Sequence, residues 1–83
     1  MTYKIAFKRS VVRDLKKIDR EQSAKILKKI ESELSTKAEK FPELKGQFAG
    51  LRKCRIGDYR VIYTIINDTV LIARIRHRKE ASK

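Results

Sequence analysis

Two turn signals divide the last third of the chain into three predicted strands. The pair Gly57 and Asp58 and the run 67–69 are typical of tight turns, and the segments beside them are rich in β-branched and aromatic residues. Repeated short turns between such segments favour antiparallel neighbours. The strands predicted in this way span residues 51–56, 59–66 and 70–78.

The first half of the chain predicts one strand and two helices. Residues 2–7 alternate between apolar and polar side chains, as in a half-buried strand. From Ser10, a candidate N-cap, the apolar residues recur at helical spacing, and a second helix is predicted to open with a capping box of Asp19 and Gln22. The apolar stripes of the two helices are Val11, Leu15 and Ile18 in the first and Leu27, Ile30 and Leu34 in the second.

These elements predict an α+β domain with the order β-α-α-β-β-β, in which a helical hairpin packs on one face of a small, largely antiparallel sheet. With 83 residues, 41% of them apolar, the chain can form one modest core, so residues 1–83 are predicted as a single domain. Pro42 interrupts helix formation, and residues 36–49 are expected to form a connecting loop with residual helix. Because Cys54 is the single cysteine, an intramolecular disulfide and a multi-cysteine metal site are excluded.

In the first predicted hairpin, the alternation of side chains along each strand places three basic residues, Lys53, Arg55 and Arg60, on one face. A two-residue turn at 57–58 pairs Arg55 with Arg60, and residue 53 with residue 62. Cys54 then faces the helices as a buried, inert thiol, whereas Lys53 and the two arginines share the opposite face. We call this opposite face, which the helices leave uncovered, the open face.

The second predicted hairpin depends on the length of its loop. A two-residue loop at 67–68 places Arg74 and Arg76 among the core residues, where unpaired charges are costly. A three-residue loop at 67–69 is therefore preferred, and it pairs Arg60 with Arg76 on the open face. The further pairs that it predicts are Val61 with Ile75, Tyr63 with Ala73 and Ile65 with Leu71. An apolar strip that needs a cover is expected on the open face: Ile62, Ile66, Val70 and Ile72.

The charge balance favours an anionic partner. The chain carries 22 Lys and Arg against 10 Asp and Glu, a formal charge of +12, and residues 50–79 hold eight basic residues but two acidic ones. Alternating arginines are also typical of a plain solvated surface, and both interpretations stay open at this point.

No stretch is apolar for the roughly 20 residues that a membrane span requires. No secretory segment is apparent either, so we expect a cytoplasmic protein without a membrane partner.

Several motifs give the chain a family resemblance. The string Leu-Arg-Lys-Cys-Arg-Ile-Gly-Asp-Tyr-Arg-Val-Ile-Tyr at 51–63 is accompanied by similar motifs at 14–18, 44–46 and 77–80. In these segments the sequence resembles the RelE/ParE superfamily of toxins from toxin–antitoxin systems, and most closely the RelE-type mRNA interferases. The match extends over nearly the whole chain. Its 57–63 segment is specific for the superfamily and less specific for the activity.

The resemblance implies an endoribonuclease that enters the ribosomal A site and cleaves mRNA there without a metal or other cofactor. The RNA's own 2′-hydroxyl is the nucleophile, and basic residues of the open face stabilise the charge that develops on the phosphate. The positions that match the family's catalytic residues are Lys53, Arg55, Arg60 and Arg78. Lys53 is the better candidate for the general base, since Arg stays protonated. The general acid is not assigned. Further residues expected to bind RNA or phosphate are Arg52, Arg74, Arg76 and Lys79.

Two residues near the C-terminus, Ser82 and His77, are not among the positions that match the family's catalytic residues. Many members of the superfamily carry a tyrosine where this chain has Ser82, and serine offers no surface for stacking on a base, which puts full activity in question. His77 could act as an acid or base, but its parity differs from that of Arg76 and Arg78, so a structural role is favoured.

The resemblance also implies partners: a cognate antitoxin, which we expect to be acidic and amphipathic, and the ribosome with its mRNA. Two alternatives stay open because a fold does not determine an activity. One is a ParE-like toxin that inhibits DNA gyrase. The other is a catalytically attenuated member that binds nucleic acid or the ribosome without cleavage.

Overall fold

The computed structural model describes residues 2–46 and 49–81, without the side chains of residues 80 and 81. The strands and helices follow the predicted order, with a short 3₁₀ turn at Ala38–Lys40 and a single helical turn at the C-terminal end. The strands are β1 (Lys4–Phe7), β2 (Arg52–Ile56), β3 (Tyr59–Ile66) and β4 (Thr69–His77), and the helices are α1 (Arg9–Lys16), α2 (Arg20–Lys37) and α3 (Arg78–Ala81).

The strands form a mixed sheet in the order β1-β4-β3-β2. β1 runs parallel to β4, and the other two pairings are antiparallel. The long helix α2 places Ile26, Ile30 and Leu34 against one face of this sheet, where each is almost completely buried. The predicted α+β architecture is confirmed. Sheet residues in the same core are Cys54, Val61, Tyr63, Val70, Ile72 and Ile75.

The β2–β3 hairpin has the predicted register. Gly57 takes a positive φ of 60° in the two-residue turn, a conformation that glycine adopts without steric cost. Arg55 therefore pairs with Arg60, Cys54 with Val61 and residue 53 with residue 62, as expected from parity. The side chains of Lys53, Arg55 and Arg60 therefore lie on the face opposite the buried core.

The β3–β4 hairpin corrects the prediction of a three-residue loop. Ile66 pairs with Thr69, so the loop has two residues, and Asn67 takes the left-handed conformation with φ 55°. An irregularity between Ile62 and Tyr63 leaves Ala73 as an extra residue on β4. This bulge shifts the register by one residue, which keeps charged side chains out of the core although the loop is short.

The bulge divides the predicted pairs into correct and incorrect ones. Between the bulge and the C-terminal end of β4, Arg60 pairs with Arg76 and Val61 with Ile75, as predicted. Between the bulge and the β3–β4 turn, the predicted pairs of Tyr63 with Ala73 and of Ile65 with Leu71 are wrong, because Tyr63 pairs with Ile72 and Ile65 with Val70. Val70 and Ile72 are consequently fully buried core residues and not part of an apolar strip on the open face.

Helix α1 covers the part of β4 that the shorter β1 leaves open. The predicted cap Ser10 lies inside α1, which follows Lys8, and its hydroxyl donates to the Ala73 carbonyl at 2.8 Å. Asp14, one turn later, accepts the Ile75 N–H at 3.0 Å. The helix thereby satisfies backbone groups of the strand edge that would otherwise lack partners.

The predicted capping box of α2 is also wrong. Asp19 occupies the N-cap position, but its side chain makes no capping hydrogen bond. The helix is instead stabilised by its packing, which commonly outweighs cap energies of about 1 kcal/mol. The predicted loop at 36–49 begins with regular structure, since α2 reaches Lys37 and the 3₁₀ turn follows it.

Candidate functional site

A cleft of about 370 Å³ lies where the β2–β3 turn meets the end of β4, and its walls are basic. Arg55 and Arg60 come from cross-strand partner positions, and Arg78 and Lys79 come from the first turn of α3. The Arg78 N–H donates to the Asp58 carbonyl at 2.8 Å, which fixes the start of α3 against the turn. Three of the four residues predicted as catalytic therefore meet in one cleft.

Among the side chains that the structure describes, the cleft contains little negative charge. Asp58 lies 3.7 Å from the Arg78 guanidinium, but both side chains are more than half exposed, so solvent screens this pair. Arg55 donates from Nε to the Gly57 carbonyl at 3.4 Å, a long hydrogen bond. The Arg60 side chain forms no hydrogen bond or ion pair within the described part of the chain. Guanidinium groups arranged in this way can bind the oxygens of a phosphate.

Lys53, the fourth predicted catalytic residue, lies beside the cleft and not in its wall. It is two residues before Arg55 on β2, so the two side chains share the open face at a spacing of about 7 Å along the strand. It pairs with Ile62 on β3 and is half-buried. Its amine has no partner among the described residues and is available to an incoming ligand.

Arg52 is held on the other side of the sheet. Its Nη1 donates to the Glu39 carbonyl, within the 3₁₀ turn, at 3.2 Å and to the Phe41 carbonyl, directly after that turn, at 2.7 Å. These carbonyls belong to a segment whose own helical bonding has ended, so the guanidinium supplies the missing donors. The structure thus separates Arg52 from the other residues predicted to bind RNA.

Arg74 and Arg76 lie next to the cleft, at the edge of β4 that faces α1. Arg74 donates from Nε and Nη2 to the two carboxylate oxygens of Asp14, at 3.0 and 3.2 Å. Arg76 is the partner of Arg60 across the two strands, and its Nε is buried without a hydrogen bond. Lys79, by contrast, lies in the cleft wall.

His77 has the structural surroundings that its parity predicts. Its ring meets the ring of Tyr59 edge to face, with the centroids 5.2 Å apart, and its Nδ1 accepts the Lys79 N–H at 3.2 Å. The imidazole therefore joins the end of β4 to α3. Position 82, where serine replaces the tyrosine of many relatives, lies outside the described residues.

Two buried groups are excluded as nucleophiles. The Cys54 thiol is 2% exposed, and burial raises its pKa to about 11, so it stays protonated near neutral pH. The Tyr63 hydroxyl donates to the Ala38 carbonyl at 2.7 Å, and burial raises its pKa above the ordinary value. Both residues belong to the core, as predicted from parity.

Asp14 is the important residue that the sequence interpretation missed. It is a carboxylate with 8% exposure, and it binds both the Arg74 side chain and the β4 backbone. Its position gave a usable signal, because it stands three residues after Val11, on the apolar stripe of α1. A charge on the buried side of a helix indicates a buried partner.

Within the described residues, none of the helices combines the length and apolar character needed to cross a bilayer.

Comparison with known proteins identifies the family to which the chain is similar. Residues 5–82 match the family model described as ParE toxin of type II toxin–antitoxin system, parDE. None of the curated proteins matches the chain.

Solved structures agree with the family model. The RelBE2 toxin–antitoxin complex from Mycobacterium tuberculosis contains a chain that is 30% identical, with a TM-score of 0.89 and coverage of 94% of this chain and 93% of that one. The archaeal RelE–RelB complex from Pyrococcus horikoshii gives 28% identity, a TM-score of 0.73 and coverage of 94% and 97%.

A structure of the chromosomal ParDE system of P. aeruginosa shares the fold alone, at 14% identity, a TM-score of 0.72 and coverage of 92% and 96%. The match of the family model over 5–82 and the likeness to the 30% identical RelBE2 chain lead to one conclusion. This chain belongs to the ParE toxin family of type II toxin–antitoxin systems, within the RelE/ParE superfamily.

Proposed function

We propose that this toxin is a ribosome-dependent mRNA endoribonuclease that acts in the cytoplasm. The observation that carries the proposal is the convergence of Arg55, Arg60 and Arg78 on one cleft with Lys53 beside it. A cluster of cations around a cleft of this size is suited to a phosphate whose charge increases in the transition state. The proposed substrate is mRNA in the ribosomal A site.

The proposed reaction uses the RNA's own 2′-hydroxyl. Lys53, in its neutral amine form, accepts the hydroxyl proton, and the oxygen attacks the adjacent phosphorus. Arg55 and Arg60 bind the non-bridging oxygens as negative charge accumulates there. The bond to the 5′-oxygen breaks beside Arg78, giving a 2′,3′-cyclic phosphate and a 5′-hydroxyl. The proton that the leaving oxygen takes up has no assigned donor.

The decisive test is primer extension on an mRNA in a reconstituted translation mixture, with and without ribosomes. Arg60→Ala should lower the cleavage rate at least about 100-fold, because it removes one of the guanidinium groups that bind the phosphate in the transition state. Arg20→Ala removes the same charge from the exposed start of α2, outside the cleft, and should cleave like the unaltered protein.

Full cleavage by a folded Arg60→Ala protein would contradict the mechanism. Absence of cleavage by the unaltered folded protein would contradict the proposed activity. Binding to the ribosome without cleavage would indicate the attenuated member, and Ser82→Tyr would then be the first change to examine.

A second candidate function is inhibition of DNA gyrase. The family model that matches residues 5–82 carries the name of the ParE toxins, and this observation favours a ParE-like activity. A supercoiling assay with purified gyrase separates the two functions. Inhibition at a toxin concentration that leaves mRNA intact would select the gyrase function.

We also propose that an acidic antitoxin neutralises this toxin by covering an apolar groove as well as the cations. A groove of about 660 Å³ between β1 and α2 is lined by Phe7, Leu27 and Ile30, among others. Phe7 is 42% exposed and Leu27 37% exposed. β1 is an edge strand, so its outer backbone groups can pair with an extended segment of a partner. The +12 charge of the toxin favours an acidic one.

A further inference from the structure

A second polar pocket lies next to the cleft, between the end of α1 and the edge of β4. Its volume is about 250 Å³. The residues that line it are Asp14, Lys17, Ile18, Tyr59, Arg74, Ile75 and Arg76. Three of these are cations and one is an acid. The pocket is separate from the cleft in its lining, since no residue is shared between the two.

Asp14 is the one carboxylate among the described residues that line the pocket, and it is already neutralised. Both oxygens of Asp14 accept hydrogen bonds from Arg74, and one also accepts the Ile75 N–H. The positive charges of Lys17 and Arg76 are left without an ion pair among the described residues. Two uncompensated cations in one pocket repel each other, and an anion would remove this repulsion.

Arg76 gives an independent indication of a ligand. Its Nε is buried, and it has no hydrogen-bond partner among the described residues. Buried donors are nearly always paired, and an exception calls for an explanation. The guanidinium that carries this unpaired donor lines the pocket, where an anion oxygen would supply an acceptor.

We propose that this pocket binds a phosphate of the RNA backbone, close to the phosphate held in the cleft. Arg76 and Arg60 are cross-strand partners, so the two sites are contiguous across one pair of strands. An RNA strand that leaves the cleft over Arg60 meets Arg76 next, with Lys17 on the far side. The inference rests on the proposed function only in taking RNA as the source of the phosphate.

The test compares Lys17→Gln with Lys16→Gln. Both lysines are exposed residues at the end of α1, and only Lys17 lines the pocket. The probe is a single-stranded RNA with 2′-O-methyl riboses, which cannot be cleaved. Lys17→Gln should weaken its binding about three- to tenfold and reduce the slope of log K against log salt by about 0.7, as expected for one lost phosphate contact. Lys16→Gln should change both quantities much less.

A second measurement locates the anion and keeps this inference distinct from the cleavage activity. Titration with inorganic phosphate should shift the Arg76 Nε–H resonance in the NMR spectrum of the unaltered toxin and of Lys16→Gln, and not in Lys17→Gln. A phosphate-dependent shift without any effect of Lys17→Gln on RNA binding would overturn the assignment to RNA. No shift in any variant would overturn the pocket itself. Failure of mRNA cleavage with these results intact would contradict the proposed function alone.

Discussion

Identical side chains have different roles in this toxin because their partners differ. The Arg52 side chain donates to two backbone carbonyls, that of Arg74 binds a buried carboxylate, and that of Arg60 has no hydrogen-bond or ion-pair partner among the described residues. The sequence interpretation, through the family resemblance, grouped all three as residues that contact RNA. The open-face position of Arg60 followed from turn chemistry and parity, whereas the bonding of Arg52 depends on where a distant segment passes. The position of a residue in the alternation of a strand predicts the face of the sheet on which its side chain lies, but it does not predict the group that the side chain binds.

A buried thiol provides a prediction at the scale of one residue. Burial raises the pKa of Cys54 from its ordinary 9.0 to about 11, so between these values the unfolded chain loses the thiol proton while the folded chain keeps it. The unfolded state is thus favoured as the pH rises. From pH 8 to pH 10 the Cys54 thiol should lower the free energy of unfolding by about 1 kcal/mol.

Urea denaturation at the two pH values measures this loss, with Cys54→Ala as the control. In this variant Tyr63, whose pKa is also raised, still lowers the free energy of unfolding at alkaline pH. It should therefore lose about 1 kcal/mol less than the unaltered protein. Equal losses in the two proteins would mean that the thiol is not desolvated in the folded state.

At the scale of elements, the two hairpins differ in how far the sequence determines them. The β2–β3 register followed from Gly57 and from the local apolar pattern. The β3–β4 register did not, because the bulge at Ala73 is stabilised by Ser10 and Asp14, which are 63 and 61 residues away from their partners. The cleft was predictable because two of its arginines belong to the first hairpin. The pocket between α1 and β4 was not, because it depends on contacts between distant segments.

The contact of α1 with β4 can be tested through Asp14. Asp14→Ala should lower the free energy of unfolding by about 2 to 3 kcal/mol, because it leaves the Ile75 N–H without an acceptor and Arg74 without its carboxylate. Asp14→Asn keeps an acceptor for the N–H and should cost less. Chemical denaturation gives the energies, and hydrogen exchange of the Ile75 amide gives the site. Unchanged exchange of that amide in Asp14→Ala would show that α1 does not hold the strand edge.

At the scale of the whole molecule, the high net positive charge lowers the stability of the fold and favours the binding of an anion. The formal charge is +12, and the ion pairs observed on the surface involve side chains that solvent screens. Repulsion between the remaining cations raises the free energy of the compact state more than that of the expanded chain. A polyanion that binds the folded toxin would relieve this repulsion and stabilise the fold by mass action. The cations that favour an anionic partner are therefore a source of instability in the isolated protein.

This balance predicts that sodium chloride stabilises the isolated toxin. Raising the salt from about 50 to 500 mM shortens the Debye length severalfold and screens the repulsion. A relief of about 1 kcal/mol would raise the midpoint of thermal unfolding by roughly 5 °C in a chain of this size.

The double change Lys25→Gln and Lys28→Gln removes two exposed charges from α2, outside the cleft and the pocket. It should raise the midpoint at low salt and reduce the gain from added salt, as followed by circular dichroism. A midpoint that falls with salt would mean that attractive ion pairs, and not repulsion, dominate the electrostatics of this fold.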